Sequence, residues 1–222
     1  SGITKRILKF ASLLTRRMYG GMAQVSVVMS TMMGGVSGSA TADAAMETRI
    51  LGPEMMKRGY SKGYITAVNC LTGLITATIH PSLGLILYGF IGEVSIGRLF
   101  CAGIVPGVIM MFVLMLTVKI TSTKKGFEKP GPEIPRITWG EVWHGLRESI
   151  WALMFPVILI VGIRFGVCTP SEAGAFAVIY AILVGAFVYH EFTVKGFIGA
   201  LRTSLMDTAA VMLIITLSGP FS

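Results

Sequence analysis

The sequence predicts an all-α polytopic membrane protein that contains a re-entrant helical hairpin and a broken transmembrane helix. Three observations lead to this prediction. Of the 222 residues, 53% are hydrophobic and only 14% are charged, whereas ordinary soluble domains are about 25% charged. Several apolar runs approach the roughly 20 residues that a helix needs to cross a bilayer. Small polar residues interrupt this pattern at 34–47 and again near 76–82.

Six segments follow one another along the chain. They are an interfacial amphipathic helix (1–17), a re-entrant hairpin region (18–62), a broken transmembrane helix with the following span (63–120), a cytoplasmic loop with an interfacial helix (121–148), a pair of transmembrane helices (149–190), and an interfacial helix with the start of a truncated span (191–222). Apolar residues at helical spacing beside basic ones are typical of helices that lie in the headgroup plane. A solvated connector helix is the alternative. Because the chain starts at Ser1 and ends in an apolar run, we expect an internal part of a longer protein.

The distribution of basic residues predicts how the first apolar segment meets the membrane. If residues 19–56 enter and turn back, one side receives all of the 19 lysines and arginines except Arg98 and Arg164. A single crossing would divide them far more evenly. Basic residues favour the cytoplasmic side, so the re-entrant interpretation is preferred and the basic side is the cytoplasm. The same placement explains the net charge of +8 without a nucleic-acid partner.

The stretch GGVSGSATADAAME, residues 34–47, is the predicted tip of the hairpin. Non-helical backbone within a membrane is tolerated inside protein or beside a watery cavity. Glycines allow a turn there, and hydroxyl groups offer oxygen ligands. The alternative is helix packing, because Gly34 and Gly38 have the GxxxG spacing that lets two helices approach closely.

The second interruption is TATIHPS, residues 76–82, within an apolar run of about 29 residues that exceeds one crossing. Pro81 lacks an N–H and disfavours helix at His80, so nearby carbonyl groups lose helical partners. Two broken elements at mid-membrane are typical of the ion and substrate site of a secondary transporter, where carbonyls and hydroxyls bind Na⁺. An ordinary proline kink is the alternative.

Several charged residues and the three cysteines lie within or beside apolar runs. Arg164 could pair with a substrate carboxylate, pair with Glu172, or reach the outer surface. Thr169 and Glu172 have the spacing of a capping box that starts the next helix. Asp43 and Glu47, four residues apart, could pair with Arg49 or with a neighbouring helix rather than bind a cation. The cysteines lack the spacing of a zinc site or of a disulfide framework, and we expect small buried residues at Cys70, Cys101 and Cys168.

These motifs together resemble the large permease subunit of TRAP transporters (tripartite ATP-independent periplasmic transporters). The similarity rests on GGVSGSATADAAM, MKRGY, IHPSLGLILYG, SIGRLFCAGIVPG and GIRFGVCTPSEAGAFAVIYA, spread over nearly the whole chain. It implies the first half of an inverted-repeat, elevator-type transporter in the bacterial inner membrane. It also implies Na⁺-coupled import of organic acids such as C4-dicarboxylates or sialic acid. The chain departs from the family pattern at His80 and at Ser171, where the family usually has a proline or small residue and a threonine.

The resemblance also implies partners and site residues. The partners are a small membrane subunit, a periplasmic substrate-binding protein and membrane lipid, with Na⁺ as coupling ion and no other cofactor. The Na⁺ candidates are Ser37, Gly38, Ser39, Thr78, Ile79 and Ser82, and the substrate candidates are Thr41, Asp43 and Arg164. An ion channel and a membrane-embedded enzyme are the alternative functions. We expect no enzyme, because the sequence has no HExxH and no GxSxG with a partner.

Overall fold

The protein is described here by a computed structural model, which covers residues 3–79, 82–128, 138–165, 167, 169–190 and 192–218. These residues contain helices and no strand, which confirms the predicted all-α class. The helices are α1 (Ile3–Thr15), α2 (Gly21–Ser37), α3 (Ala40–Lys57), α4 (Lys62–Thr78), α5 (Leu83–Ile91), α6 (Ile96–Lys125), α7 (Trp139–Arg164), α8 (Pro170–Leu183) and α9 (Val194–Ser218). A π-helical segment, Val184–Val188, continues α8.

The chain divides into two compact units. The first runs from Ile3 to Val178 and contains the two predicted interruptions. The described part of the second contains the end of α8, the π-helical segment and α9. Its apolar side chains are largely exposed, with Phe187 at 73% and Leu205 at 72%.

Helices α2, α3 and α4 pack against one another at the centre of the first unit. Helix α6 covers α2 and α4, and α1 lies against α2 and α7. Apolar side chains from these helices form the core, in which Ile7, Met29, Leu51, Met55 and Ile75 are fully buried. The legs of the predicted hairpin therefore pack against α4 along their length.

One carboxylate holds the base of this hairpin together. Glu128, which follows α6, accepts hydrogen bonds from the backbone N–H of Met22 at 2.8 Å and from the hydroxyl of Tyr60 at 2.8 Å. It also forms an ion pair with Arg58. Met22 lies in the first turn of α2, where N–H groups lack intrahelical partners and favour an anion. Because Arg58 and Tyr60 follow α3, both ends of the hairpin are anchored to one residue.

Helix α6 has the length and the surface of a membrane span. Its 30 residues have a mean hydropathy of 2.6 over the most apolar window. Val105, Phe112 and Leu116 on its outer face are each about 60% exposed, at 64%, 62% and 58%. Soluble proteins rarely expose a contiguous apolar surface of this kind. Within the described residues α6 alone meets the length and hydropathy expected of a span, and the shorter apolar helix is Glu172–Val188.

Three local features differ from expectation. Helix α6 continues through residues 121–125, which the sequence placed in a loop, because no breaker occurs before Gly126 adopts a φ of 70° at its C-cap. Helix α7 is continuous from Trp139 to Arg164, so the predicted interfacial helix and the span after it are one helix. Cys70 is exposed and Cys101 half-buried, so the prediction of burial is wrong for Cys70, which lies on the outer face of α4. Cys168 lies outside the described residues.

Candidate functional site

The hairpin reverses direction in two residues. Helix α2 ends at Ser37, and Gly38 adopts a φ of 63°, a left-handed conformation that glycine reaches without a steric penalty. Ser39 is extended and caps α3, with its hydroxyl accepting a hydrogen bond from the N–H of Ala42 at 3.4 Å. The predicted tip at Ser37, Gly38 and Ser39 is therefore a turn between two helices.

The second interruption separates α4 from α5. Helix α4 ends at Thr78, and Ile79 is extended with φ −83° and ψ 139°. Helix α5 begins at Leu83 after Ser82, which is extended and buried. The hydroxyl of Thr78 donates to the carbonyl oxygen of Leu74 in its own helix at 2.8 Å. His80 and Pro81, to which the sequence assigned the break, lie outside the described residues.

The two interruptions pack against each other. Gly34, in the last turn of α2, lies so close to α4 that an added methyl group would come within 3.1 Å of the Cα of Thr76 and 3.4 Å of the Cβ of Ile79. From the other side, a methyl group on Gly107 of α6 would overlap the Ile79 side chain. Gly34 therefore serves close helix packing, as the alternative hypothesis expected, whereas Gly38 serves the turn.

A buried carboxylate joins the three central helices one helical turn further from the tip of the hairpin. Glu47 of α3 is fully buried. It accepts hydrogen bonds from the hydroxyls of Ser26 and Ser30 on α2, each at 2.5 Å, and from Thr72 on α4 at 3.0 Å. The Ser26 hydroxyl also lies 3.1 Å from the side-chain oxygen of Asn69. A buried carboxylate needs such donors, because its desolvation is costly. We call this set the Glu47 network.

Asp43 makes a similar connection nearer the tip. It is 2% exposed, and its carboxylate accepts a hydrogen bond from the Thr76 hydroxyl at 2.8 Å. The same hydroxyl lies 3.2 Å from the carbonyl oxygen of Ser30 on α2. The Thr76 hydroxyl on α4 therefore contacts both α2 and α3, the two legs of the hairpin. Asp43 and Glu47 face the neighbouring helices, whereas Arg49 is exposed.

Sequence reasoning did not assign a role to most of the Glu47 network. Ser26, Ser30, Asn69 and Thr72 were not singled out, and Glu47 was considered mainly as a pairing partner. The sequence nevertheless contained a signal for a polar helix face, because Ser26 and Ser30 are four residues apart in an apolar run. Residues at that spacing share one face of a helix.

The substrate candidates lie in different surroundings. Thr41 is exposed, with its hydroxyl 3.3 Å from that of Ser39, whereas Asp43 is buried against Thr76. Arg164 is the last residue of α7, and its side chain lies outside the described part of the structure. Glu172 accepts a hydrogen bond from the N–H of Thr169 at 2.7 Å, and the backbone N–H of Glu172 donates to the Thr169 hydroxyl at 3.3 Å. The predicted capping box is therefore present.

Comparison with known proteins identifies the family. Residues 1–222 match the family described as "Tripartite ATP-independent periplasmic transporter, DctM component". The chain belongs to this DctM family. The membership confirms the resemblance, and it confirms the expectation that the chain is not an enzyme, because the family consists of transporter components.

Several curated DctM relatives are similar to this chain. The sialic acid TRAP transporter permease protein SiaT of Haemophilus influenzae is 35% identical over 217 residues, which cover 96% of this chain and 34% of SiaT. The 2,3-diketo-L-gulonate large permease protein YiaN of Escherichia coli is 35% identical over 96% of this chain and 49% of YiaN. The C4-dicarboxylate large permease protein DctM of Vibrio cholerae is 34% identical over 86% of this chain and 41% of that protein. The chain thus spans between about a third and a half of the length of these relatives.

Proposed function

We propose that this chain forms the first half of the transport site in a Na⁺-coupled permease that imports organic acids across the bacterial inner membrane. The observation that carries the proposal is the contact between the two interruptions, in which Gly34 of the hairpin lies against Thr76 and Ile79 of α4. Paired interrupted helices near mid-membrane are the usual construction of ion and substrate sites in secondary transporters.

The helix ends at these interruptions favour both a Na⁺ ion and the carboxylate group of a substrate. The last carbonyl groups of α2 and α4, which end at Ser37 and Thr78, lack intrahelical partners and carry the negative end of the helix dipole. Such ends suit Na⁺. Helices α3 and α5 begin on the other side of each interruption, and helix N-termini favour the carboxylate of a substrate.

The proposed site residues are the candidates that the family resemblance implies. For Na⁺ we propose backbone and hydroxyl oxygens of Ser37, Gly38, Ser39, Thr78, Ile79 and Ser82. For the substrate we propose Thr41, Asp43 and Arg164. The hairpin enters the membrane from the cytoplasmic side and returns to it, and a second inverted repeat supplies the remaining ligands. Transport then proceeds by an elevator motion of the two interrupted elements against a scaffold.

Three of the relatives support a carboxylate as substrate, whereas the isethionate permease protein DctMQ is named after a sulfonate. Sialic acid, 2,3-diketo-L-gulonate and C4-dicarboxylates, after which SiaT, YiaN and DctM are named, all carry a carboxylate group. We propose an organic acid of this kind for the present protein. We further propose a small membrane subunit and a periplasmic substrate-binding protein as partners.

Uptake into proteoliposomes tests this function. The full-length permease is reconstituted with its small subunit, and labelled sialic acid or C4-dicarboxylate is added with the matching binding protein. We expect saturable uptake that requires an inward Na⁺ gradient and the binding protein. Uptake that is the same with K⁺ in place of Na⁺ would contradict the coupling, and a conductance without coupled uptake would indicate a channel.

A further inference from the structure

The carboxyl group of Glu47 has no cation to balance it among the described residues. Its side chain is fully buried, and it takes part in none of the ion pairs between described side chains. Its hydrogen-bond partners among them are neutral hydroxyl groups, on Ser26, Ser30 and Thr72. A buried carboxyl group without a counter-charge is far less costly as the neutral acid than as the anion.

The helices packed against α3, which are α2 and α4, bring no described cation to this point. Helix α2 contains no charged residue. The titratable side chains of α4 are Lys62, Tyr64 and Cys70; the first and last are exposed, and the Tyr64 hydroxyl bonds to α6. On α3 itself Arg49 is exposed, whereas the buried Asp43 adds negative charge one turn away. An ionised Glu47 would therefore be an unbalanced charge.

The hydrogens around Ser26 are one too few for an ionised Glu47. The single hydroxyl hydrogen of Ser26 faces two acceptors, which are Oε2 of Glu47 at 2.5 Å and the side-chain oxygen of Asn69 at 3.1 Å. Asn69 turns its oxygen this way because its amide nitrogen donates to the Thr48 hydroxyl at 2.9 Å. Whichever acceptor the Ser26 hydrogen takes, the other contact brings two oxygens together without a hydrogen between them.

We propose that Glu47 is a proton-binding site and stays a neutral carboxylic acid in the folded permease at neutral pH. The proton comes from water. The carboxyl O–H then donates to Ser26, which donates in turn to the side-chain oxygen of Asn69. Ser30 and Thr72 donate to the carboxyl group, so each acceptor of the Glu47 network has a hydrogen. The contact of both hairpin legs with α4 therefore depends on pH. The proposal does not rest on Na⁺ coupling, so either can fail while the other holds.

Infrared spectroscopy of the purified full-length permease tests the protonation directly. A protonated carboxyl group has a C=O stretching band that a carboxylate lacks. We expect the unmodified protein to show this band at neutral pH and Glu47→Gln to lose it. Glu54→Gln is the matched control, because Glu54 lies on the same helix and pairs with Arg58, and this variant should retain the band. A band that is equally strong in Glu47→Gln would overturn the proposal.

Stability at higher pH is an independent measurement. The unfolded chain exposes Glu47 to water, where a glutamate ionises above about pH 4. The folded state then binds one proton more than the unfolded state, so the unfolding equilibrium constant rises about tenfold per pH unit until Glu47 ionises in the folded protein. We expect the unfolding temperature to fall between about pH 6 and pH 9, before tyrosines ionise near pH 10. It should fall less in Glu47→Gln, and coincident profiles would overturn the proposal.

Two further variants should move the proton in opposite directions. Asn69→Leu removes the competing acceptor, so the Ser26 hydrogen can serve an ionised Glu47 and the acid band should disappear at a lower pH. Thr72→Val removes a donor that the ionised form needs, so the band should persist to a higher pH. Shifts in the reverse directions would contradict the proposed hydrogen-bond chain. Loss of the band when Na⁺ replaces choline at constant pH would make Glu47 a metal-cation ligand and overturn the proposal.

Discussion

The hydroxyl of Thr76 lies 2.8 Å from a carboxylate oxygen of Asp43. This bond joins the second leg of the hairpin to α4 two residues before α4 ends at Thr78. The same hydroxyl lies 3.2 Å from the carbonyl oxygen of Ser30 on the first leg. The position of the hairpin relative to the break in α4 is therefore set by buried polar contacts as well as by apolar packing.

Thr76→Val tests the importance of this contact. Valine has nearly the same shape and removes the hydrogen bond to Asp43, which costs about 1–3 kcal/mol when a buried partner loses a donor. We expect a lower unfolding temperature of the purified full-length permease in detergent. Thr66→Val is the control, because the Thr66 hydroxyl bonds to Lys62 of its own helix and is exposed. Equal unfolding temperatures for the two variants would contradict the prediction.

Glu47→Ala should destabilise the core more strongly than Thr76→Val. It removes the acceptor for the hydroxyls of Ser26, Ser30 and Thr72 and leaves a cavity, at a cost of about 2–4 kcal/mol. Glu47→Gln keeps the shape of the side chain and one carbonyl oxygen, so this variant should lose less stability than Glu47→Ala. The measurement is the yield and thermal stability of the folded permease.

Glu54→Ala serves as the control for Glu47→Ala. Glu54 is half-buried on the same helix and pairs with Arg58 one turn away at 3.0 Å. Pairs of this type contribute about 0.3–0.5 kcal/mol. If the Glu54 variant were as unstable as the Glu47 variant, the Glu47 network would have no special role in stability.

Ser39→Ala should weaken the dependence of uptake on Na⁺. Ser39 lies in the turn between α2 and α3, and its hydroxyl is a proposed Na⁺ ligand. We expect a higher Na⁺ concentration at half-maximal uptake in the proteoliposome assay. An unchanged half-saturation would remove the Ser39 hydroxyl from the ion site.

The loss of a helix cap must be separated from the loss of a ligand, because removing an N-cap serine costs about 1 kcal/mol by itself. Ser61 caps α4 in the same way, accepting a hydrogen bond from the N–H of Tyr64 at 3.3 Å. Ser61→Ala should reduce stability to a similar extent and leave the Na⁺ dependence unchanged. A similar shift in Na⁺ dependence for both variants would attribute the effect to capping.

Alkaline pH should loosen the base of the hairpin. Burial raises the pKa of Tyr60, and the nearby carboxylate of Glu128 raises it further. The folded state therefore favours the protonated hydroxyl, and the resulting stability is present below the ordinary tyrosine pKa of about 10 and is lost as the pH rises above it. We expect the unfolding temperature to fall more steeply above about pH 10 in the unmodified permease than in Tyr60→Phe.

Tyr88→Phe is the control for this pH series, because Tyr88 is 63% exposed. It should retain the pH profile of the unmodified permease. A Tyr60→Phe profile that coincided with the unmodified one would mean that Tyr60 ionisation does not contribute to the alkaline loss of stability.

The interruptions were predictable because their causes are local. Glycines within residues 34–38 permit a left-handed turn, and Pro81 disfavours helix at the residue before it. The Glu47 network depends instead on which helix faces meet. Ser26 and Thr72 are far apart in sequence, and either could have faced lipid or bonded to the carbonyl of its own helix, as Thr78 does with Leu74. The continuity of α7 was also missed, because a change from an amphipathic to an apolar pattern does not by itself interrupt a helix.

The sequence by itself determined the helical class, an interruption within residues 34–47 and the separation of α4 from α5, because each follows from backbone preferences and apolar content within a short segment. The tertiary structure alone decided that Gly34 lies against Ile79, that Glu47 collects hydroxyls from two other helices, and that Glu128 closes the base of the hairpin. These contacts join residues that are distant along the chain, and the packing of the helices selects them from many partners of similar chemistry.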